Sequence, residues 1–262
     1  MNRIDTRFIS LKRDRKKAFI VFITAGYPDL KTTANLIKGF EKIGVDIVEL
    51  GVPFSDPIAD GPVIQKSSLK ALKDGVTLNS ILRLVKGVRR EGVSMPICLM
   101  SYYNPIFCFG ENNFVRMAEL CGVDGLIVPD LPPEEAFSLR RRLSLRNLAF
   151  IPFLSPTSSA KRIKYISRIA RGFIYYVSLT GVTGMCKNIP EEASAKIRFI
   201  KRITKKPVCV GFGISTSMQV KEVSGFSDGV IIGSAIIKEI RKNLGKNKLV
   251  DRVLDFVSSL KR

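Results

Sequence analysis

The stretch IVELGVPFSDPIADGP, from Ile47 to Pro62, opens as an apolar, β-branched run and then breaks into a loop of Pro, Gly and Asp. A short, continuously apolar run bounded by turn residues reads as a strand buried on both faces, the kind found in parallel sheets covered by helices. Glu49 stands near the end of that strand, and Asp60 lies in the loop beyond it. Two carboxylates converging from a strand end and a loop can move protons at one site. The chain contains no histidine, so these two are the natural candidates for acid–base work.

The same pattern recurs on both sides of this stretch. Ala18–Gly26 precedes it as a first strand, and Pro96–Ser101, Val123–Asp130, Leu148–Ser155, Gly172–Ser178, Pro207–Gly213 and Asp228–Ser234 follow as the third to eighth. Helical patterns fill the intervals, with Asp29 as an N-cap and Gly44 as a stop for the helix after strand one. Pro132 and Pro133 are placed to open the helix after strand four. Eight strand–helix units predict an α/β fold, a single (β/α)8 (TIM) barrel domain over residues 1–262, with short additional helices in its βα loops. An open, doubly wound sheet is the structural alternative. The basic start, Arg3 to Lys17, places Ile4, Phe8 and Leu11 on one helical face and predicts an extra N-terminal helix plugging the barrel floor.

Composition narrows the chemistry. The absence of His removes Ser–His and Cys–His nucleophile pairs and His-ligated zinc. Cys98, Cys108, Cys121, Cys186 and Cys209 are scattered without metal or redox spacing, as in a reducing cytoplasm, and no metal is expected. No apolar run approaches the roughly 20 residues that span a bilayer, so the expectation is a soluble, cytoplasmic chain without membrane contact. The net charge of +20 allows a polyanionic partner or simply basic outer helix faces. The charges recur along the whole chain without interleaved aromatic residues, which favours the second reading and no nucleic acid.

Barrel enzymes work at the C-terminal ends of their strands. There the chain offers Phe22, Glu49, Met100, Tyr102, Ile127, Pro129, Phe153 and Tyr175, an apolar and aromatic mouth suited to a flat ring. Strands seven and eight end in GFGIS (Gly211–Ser215) and GSA (Gly233–Ala235), where backbone N–H groups can approach a phosphate. Ser178–Asn188 is either a surface loop or a lid with Thr183 near a mouth carboxylate. A strand-end Glu is often half of a salt bridge, but no cation neighbours Glu49 in sequence, and an unpaired buried carboxylate is costly without a task. Asp60 can equally be a turn or cap residue before Gly61. No strand end carries a Lys, which weakens Schiff-base chemistry.

The motifs FITAGYPD (Phe22–Asp29), VELGVPFSDPIADGPVIQ (Val48–Gln65), YYNP (Tyr102–Pro105), VPDLPPEE (Val128–Glu135), TGVTG (Thr180–Gly184) and GFGIS, in that order, make the chain resemble the α subunit of tryptophan synthase along nearly its whole length. The resemblance implies a lyase that cleaves indole-3-glycerol phosphate to indole and glyceraldehyde 3-phosphate. Glu49 and Asp60 fall on the family's catalytic carboxylates. Phe22, Met100, Tyr102, Ile127, Pro129, Phe153 and Tyr175 fall on the indole pocket, and Gly184, Gly211, Phe212, Gly213, Gly233 and Ser234 on the phosphate site. Thr183 is the lid residue that meets the catalytic Asp. Pro53, Asp56, Asn104 and Pro132 match an interface with a pyridoxal-phosphate β subunit, in an α2β2 assembly that passes indole through a tunnel. The pyridoxal phosphate belongs to that partner, and no cofactor is expected here. Met100, Pro129 and Leu179 depart from residues common in the family and bear on ring fit and rate. The alternative within the same resemblance is a weakly catalytic barrel that acts mainly as an allosteric activator of the β subunit.

Overall fold

The computed structural model describes residues 1–177, 191–211 and 213–261. In chain order its elements are α1 (Arg3–Arg13), β1 (Ala18–Thr24), α2 (Leu30–Lys42), β2 (Ile47–Gly51), α3 (Pro62–Lys73), α4 (Leu78–Arg90), β3 (Ile97–Met100), α5 (Tyr103–Phe109), α6 (Glu111–Cys121) and β4 (Gly125–Ile127). They continue with α7 (Phe137–Leu145), β5 (Ala149–Phe150), β6 (Phe153–Leu154), α8 (Ala160–Ile169), β7 (Ile174–Val177), α9 (Glu191–Ile203), β8 (Val208–Gly211), α10 (Ser217–Ser224), β9 (Gly229–Ile232), α11 (Ser234–Lys242) and α12 (Leu249–Leu260).

All the strand pairings are parallel, and the strands follow the order β5-β4-β3-β2-β1-β9-β8-β7-β6. The predicted fifth strand is present as two pieces, β5 and β6, broken at Ile151-Pro152. Proline has no N–H to give a ladder, which is why a strand is interrupted there. The break does not open the barrel. The Ile151 N–H donates to the Leu126 carbonyl at 3.0 Å, and the Pro152 carbonyl accepts from the Tyr175 N–H at 3.0 Å. The same segment is thereby joined to the strands on both sides, and the sheet closes.

Strand periodicity sorts side chains into two cores. Val48 and Leu50 of β2 face outward and join the large core between sheet and helices. Ile47 faces inward, with Ala18, Ile20, Cys98, Ile127, Ala149, Ile151, Phe173, Cys209 and Ile231, into a second core within the barrel. The N-terminal helix completes that inner core, as its spacing predicts: Ile4, Phe8 and Leu11 of α1 are buried in it. Small residues make room for the plug. A Cβ on Gly125 would stand 2.9 Å from Ile4 Cδ1.

One local expectation needs correction. The prolines Pro132 and Pro133 do not open the helix after β4; α7 starts only at Phe137. The Pro132 carbonyl accepts from Ala136 N–H in a single turn, but the Pro133 carbonyl is taken by the Tyr165 hydroxyl of α8 at 3.1 Å, so no continuous helical ladder starts there. Tyr103–Phe109 forms a short helix, α5, directly after β3, one of the additional helices expected in the βα loops.

The floor of the barrel carries a repeated device. Asp46, Asp124 and Asp228 each stand one residue before a strand (β2, β4 and β9). Each accepts a backbone N–H from the start of a neighbouring strand segment: Phe19 at 2.6 Å, Ile97 at 2.8 Å and Val208 at 3.0 Å. Each also meets a cation. Arg7 Nε donates to Asp46 at 2.8 Å, Arg3 and Arg89 hold Asp124 at 2.8 and 2.6 Å, and Lys201 holds Asp228 at 2.7 Å. Arg3 and Arg7 belong to α1, so these pairs also fasten the plug. The basic residues at Lys42, Lys70, Arg83, Lys164 and Lys238 are exposed on outer helix faces, in line with the simpler reading of the +20 charge.

Candidate active site

Glu49 is the inward-facing residue of β2 one step above Ile47, in register with Phe22 on β1 and Cys98 on β3. It is 0% exposed. Neither carboxylate oxygen has a hydrogen-bond partner among the described residues. Burial alone pushes its pKa up to about 8, so at neutral pH the carboxyl carries its proton. No described cation forms a salt bridge with it.

Asp60 precedes Gly61, the N-cap of α3, and is half-buried. Its backbone is held by its own N–H to the Pro57 carbonyl at 3.0 Å and by Gln65 Nε2 donating to its carbonyl at 2.9 Å. Its side chain is thus aimed by the loop rather than used as a cap. The Tyr102 hydroxyl donates to Oδ2 at 3.1 Å. Burial raises the pKa to about 6 while that hydrogen bond opposes the rise, which leaves Asp60 mainly ionised at neutral pH. Two carboxyls on one mouth therefore rest in opposite states, one an acid and one a base.

The residues read as a ring wall stand at the strand ends. The rings of Phe153 and Tyr175 lie 4.9 Å apart, centroid to centroid. Met100, Phe153 and Tyr175 are half-buried and rest on the inner core, while Ile127 is wholly enclosed in it. Pro129 and Phe153 share a cavity of about 220 Å³ with Pro152 and Arg162. The phenol of Tyr175 is pushed well above its ordinary pKa by burial and then by the Glu49 and Asp60 carboxylates.

Glycines at the strand ends serve these rings. A Cβ on Gly51 would lie 2.6 Å from the Phe22 ring, one on Gly233 3.2 Å from it, and one on Gly211 2.7 Å from the Tyr175 hydroxyl. Gly211, read from sequence as part of a phosphate cradle, thus has a packing reason of its own. Gly213 is different: a Cβ there would meet none of the described residues within 4 Å. It follows β8, and Gly233 with Ser234 follows β9 at the start of α11, where the first-turn N–H groups lack intrahelical acceptors. Thr183, Gly184, Phe212 and Leu179 lie outside the described residues.

Of the four interface positions, Asp56, Asn104 and Pro132 are exposed, whereas Pro53 is buried. What sequence reading missed is the hydroxyl of Tyr102, expected only as a ring, and the three floor aspartates. The latter carried a signal in the recurring Asp one residue before a strand, at Asp46, Asp124 and Asp228.

Fold and site together define a class, a (β/α)8-barrel enzyme with a carboxyl pair and an apolar wall at the C-terminal ends of its strands. Comparison with known proteins narrows this. Residues 8–262 match the family model described as tryptophan synthase alpha chain. The tryptophan synthase alpha chain of Geotalea daltonii is 48% identical over 261 residues, covering 100% of this chain and 98% of that one. The solved structure of tryptophan synthase subunit alpha from Legionella pneumophila superposes with a TM-score of 0.92 at 39% identity, covering 99% of this chain and 97% of the other. Tryptophan synthase from Mycobacterium tuberculosis gives a TM-score of 0.90 at 30% identity, with 99% and 96% covered. The chain belongs to the tryptophan synthase alpha chain family. It is a carbon–carbon lyase of tryptophan biosynthesis that cleaves indole-3-glycerol phosphate and releases indole for the β subunit.

Proposed function

We propose that Glu49 and Asp60 divide the cleavage chemistry between them. The observation that carries this reading is the setting of Glu49, wholly buried at a strand end, with neither oxygen hydrogen-bonded by a described residue and its pKa pushed up to about 8 by burial. The bond to be broken joins indole C3 to a carbon that bears a hydroxyl, and C3 is a poor leaving group until it is protonated. Glu49 gives its proton to C3. Positive charge then develops on the indole nitrogen, whose N–H is bonded to the Asp60 carboxylate, and that contact strengthens as the charge grows. Glu49 is left as a carboxylate in an apolar surround, which makes it a strong base. It takes the hydroxyl proton as the carbon–carbon bond breaks. The electron pair returns to the ring, and the products are indole and the aldehyde of glyceraldehyde 3-phosphate. Glu49 ends protonated, ready for another turnover, and no step calls for a cofactor.

Phe22, Met100, Tyr102, Ile127, Pro129, Phe153 and Tyr175 enclose the ring in this reading. The phosphate sits at Gly213, Gly233 and Ser234, supported by the room that the described residues leave at Gly213 and by the α11 N-terminus; Gly184, Gly211 and Phe212 complete that site, and Thr183 is the lid residue that meets Asp60. Exposed Asp56, Asn104 and Pro132 form the face toward the pyridoxal-phosphate β subunit in an α2β2 assembly, with Pro53 shaping that face from beneath. Residues 1–262 act as one domain. Among the described residues no helix is long and apolar enough to cross a membrane, and we place the chain in the cytoplasm. The test is indole release from indole-3-glycerol phosphate, with and without the β subunit. Turnover by the chain itself, raised by the partner, is expected; activation of the partner by a chain that never cleaves substrate would refute the proposed chemistry.

A further inference from the structure

The βα loop that carries Asp60 is long and exposed at Ser55, Asp56, Ile58 and Ala59, so something must hold the carboxylate in one place. Tyr102 meets it from the end of β3. Its hydroxyl accepts the Ala59 N–H at 2.9 Å and donates to Asp60 Oδ2 at 3.1 Å. The direction of these bonds is determined by chemistry. An amide N–H only donates, so the phenol oxygen must accept there, and its single hydrogen is left for Asp60. None of the described residues hydrogen-bonds Asp60 Oδ1, so one carboxylate oxygen is engaged and the other is left for a ligand.

Tyr102 is itself rigidly placed. It is 4% exposed, and its ring is stacked on Phe54 with centroids 5.1 Å apart. The backbone around it is pinned on both sides. Ser101 N–H donates to the Ile127 carbonyl at 3.0 Å, and Tyr103 N–H donates to Asp130 at 2.9 Å. Two residues further on is exposed Asn104.

We infer that Tyr102 is a positioning residue for the lyase: its hydroxyl, bonded to both Ala59 N–H and Asp60 Oδ2, holds the Asp60 carboxylate in one place and ties it to the partner-facing start of α5. This rests on the role proposed above for Asp60 and adds a group that does not itself touch the reacting atoms. A hydroxyl that donates to an ionised carboxylate favours the charged form, so its removal raises the Asp60 pKa above its present value near 6. The acidic limb of the pH–rate profile then moves to higher pH.

Steady-state cleavage of indole-3-glycerol phosphate by the full chain, with the β subunit at saturation, tests this across pH 5 to 9 (a range of roughly two units either side of neutrality). Tyr102→Phe keeps the ring and its stack and loses only the hydroxyl. We expect kcat to fall about ten-fold, the loss typical of a hydrogen bond to a charged group, with KM within about two-fold and the acidic limb displaced upward. An unmoved limb with wild-type kcat, or a loss confined to KM, overturns the inference and leaves Tyr102 a pocket wall. A second variant guards against misfolding: Tyr102→3-fluorotyrosine is nearly isosteric and a better donor, and should move the limb downward; an unmoved limb there also overturns it. Cleavage by the wild-type chain with an indifferent Tyr102→Phe variant refutes this inference alone, whereas no cleavage by any form refutes the reading of the site beneath it.

Discussion

The barrel treats its carboxylates in opposite ways at its two ends. On the floor, Asp46, Asp124 and Asp228 each hold a backbone N–H and at least one Arg or Lys. At the mouth, Glu49 has neither among the described residues, and the one described side chain bonded to the Asp60 carboxylate is Tyr102. The residue types are the same and so is the scaffold; what differs is compensation. A buried carboxylate with hydrogen bonds and a cation stays ionised and joins elements together. One without them has its pKa driven up into the range where it can exchange protons at neutral pH. The floor is built for attachment, and the mouth keeps two carboxyls uncommitted.

Breaking the comparison at the mouth should have the largest effect on rate. Glu49→Gln keeps the volume and removes the proton, so indole release should drop about a thousand-fold while substrate still binds; unchanged turnover with a binding signal intact would sink the proton-transfer role. On the floor, Asp124→Ala strips the partner from Arg89 and Arg3 and leaves the Ile97 N–H without its acceptor. Loss of one member of a buried pair costs about 3–5 kcal/mol, so a denaturant midpoint should fall sharply while the folded fraction keeps its cleavage rate. A normal midpoint would show that the floor pairs are ornamental.

The two ends should also part in their pH dependence. Glu49 has a folded-state pKa near 8 against an ordinary value of 4.5. The unfolded chain therefore releases that proton first, and stability declines as pH rises from about 4.5 to 8. Relative to Glu49→Gln, the wild-type chain should lose about 3 kcal/mol between pH 5 and 8, as read by denaturant melts at each pH. The proposed division of roles requires Asp60 ionised and Glu49 protonated, so kcat/KM should be bell-shaped, with limbs near 6 and 8. A profile flat across that interval would contradict the assignment. The smallest effect is expected from the glycines that admit the rings. Gly51→Ala forces the Phe22 ring aside and should cost about 1–3 kcal/mol with a raised KM, whereas Gly213→Ala, where no described residue crowds the new Cβ, should leave stability within about 0.5 kcal/mol. Equal melting temperatures for the two variants would remove the distinction.

Much of this was open to reading from the chain alone. The apolar runs and their spacing specify a helix-covered parallel barrel, and Ile4, Phe8 and Leu11 specify a helix with one buried face, because burial periodicity is a local property of sequence. Glu49 stands out as a charged residue in an apolar run for the same reason. The family motifs, Phe22–Asp29 and Val48–Gln65 above all, carry the assignment to a lyase through resemblance. The start of α7 could not be read this way. Pro132 and Pro133 satisfy a helix-opening rule, and the outcome turned on the Tyr165 hydroxyl of a helix further along the chain.

Tertiary structure alone decided the rest. That no described cation pairs with Glu49 depends on where the Lys and Arg side chains of a strongly basic chain point, and distance along the sequence does not report that. That Asp60 is aimed rather than used as a cap depends on a hydroxyl 42 residues away. That Gly211 accommodates the Tyr175 phenol, while no described residue crowds Gly213, depends on the strand beside it. Sequence by itself marked most of the elements, the faces they bury and the two candidate carboxyls. The ionisation of those carboxyls was settled only by folding, since a pKa is set by the solvent and charges removed or brought near, and those come from the whole barrel at once.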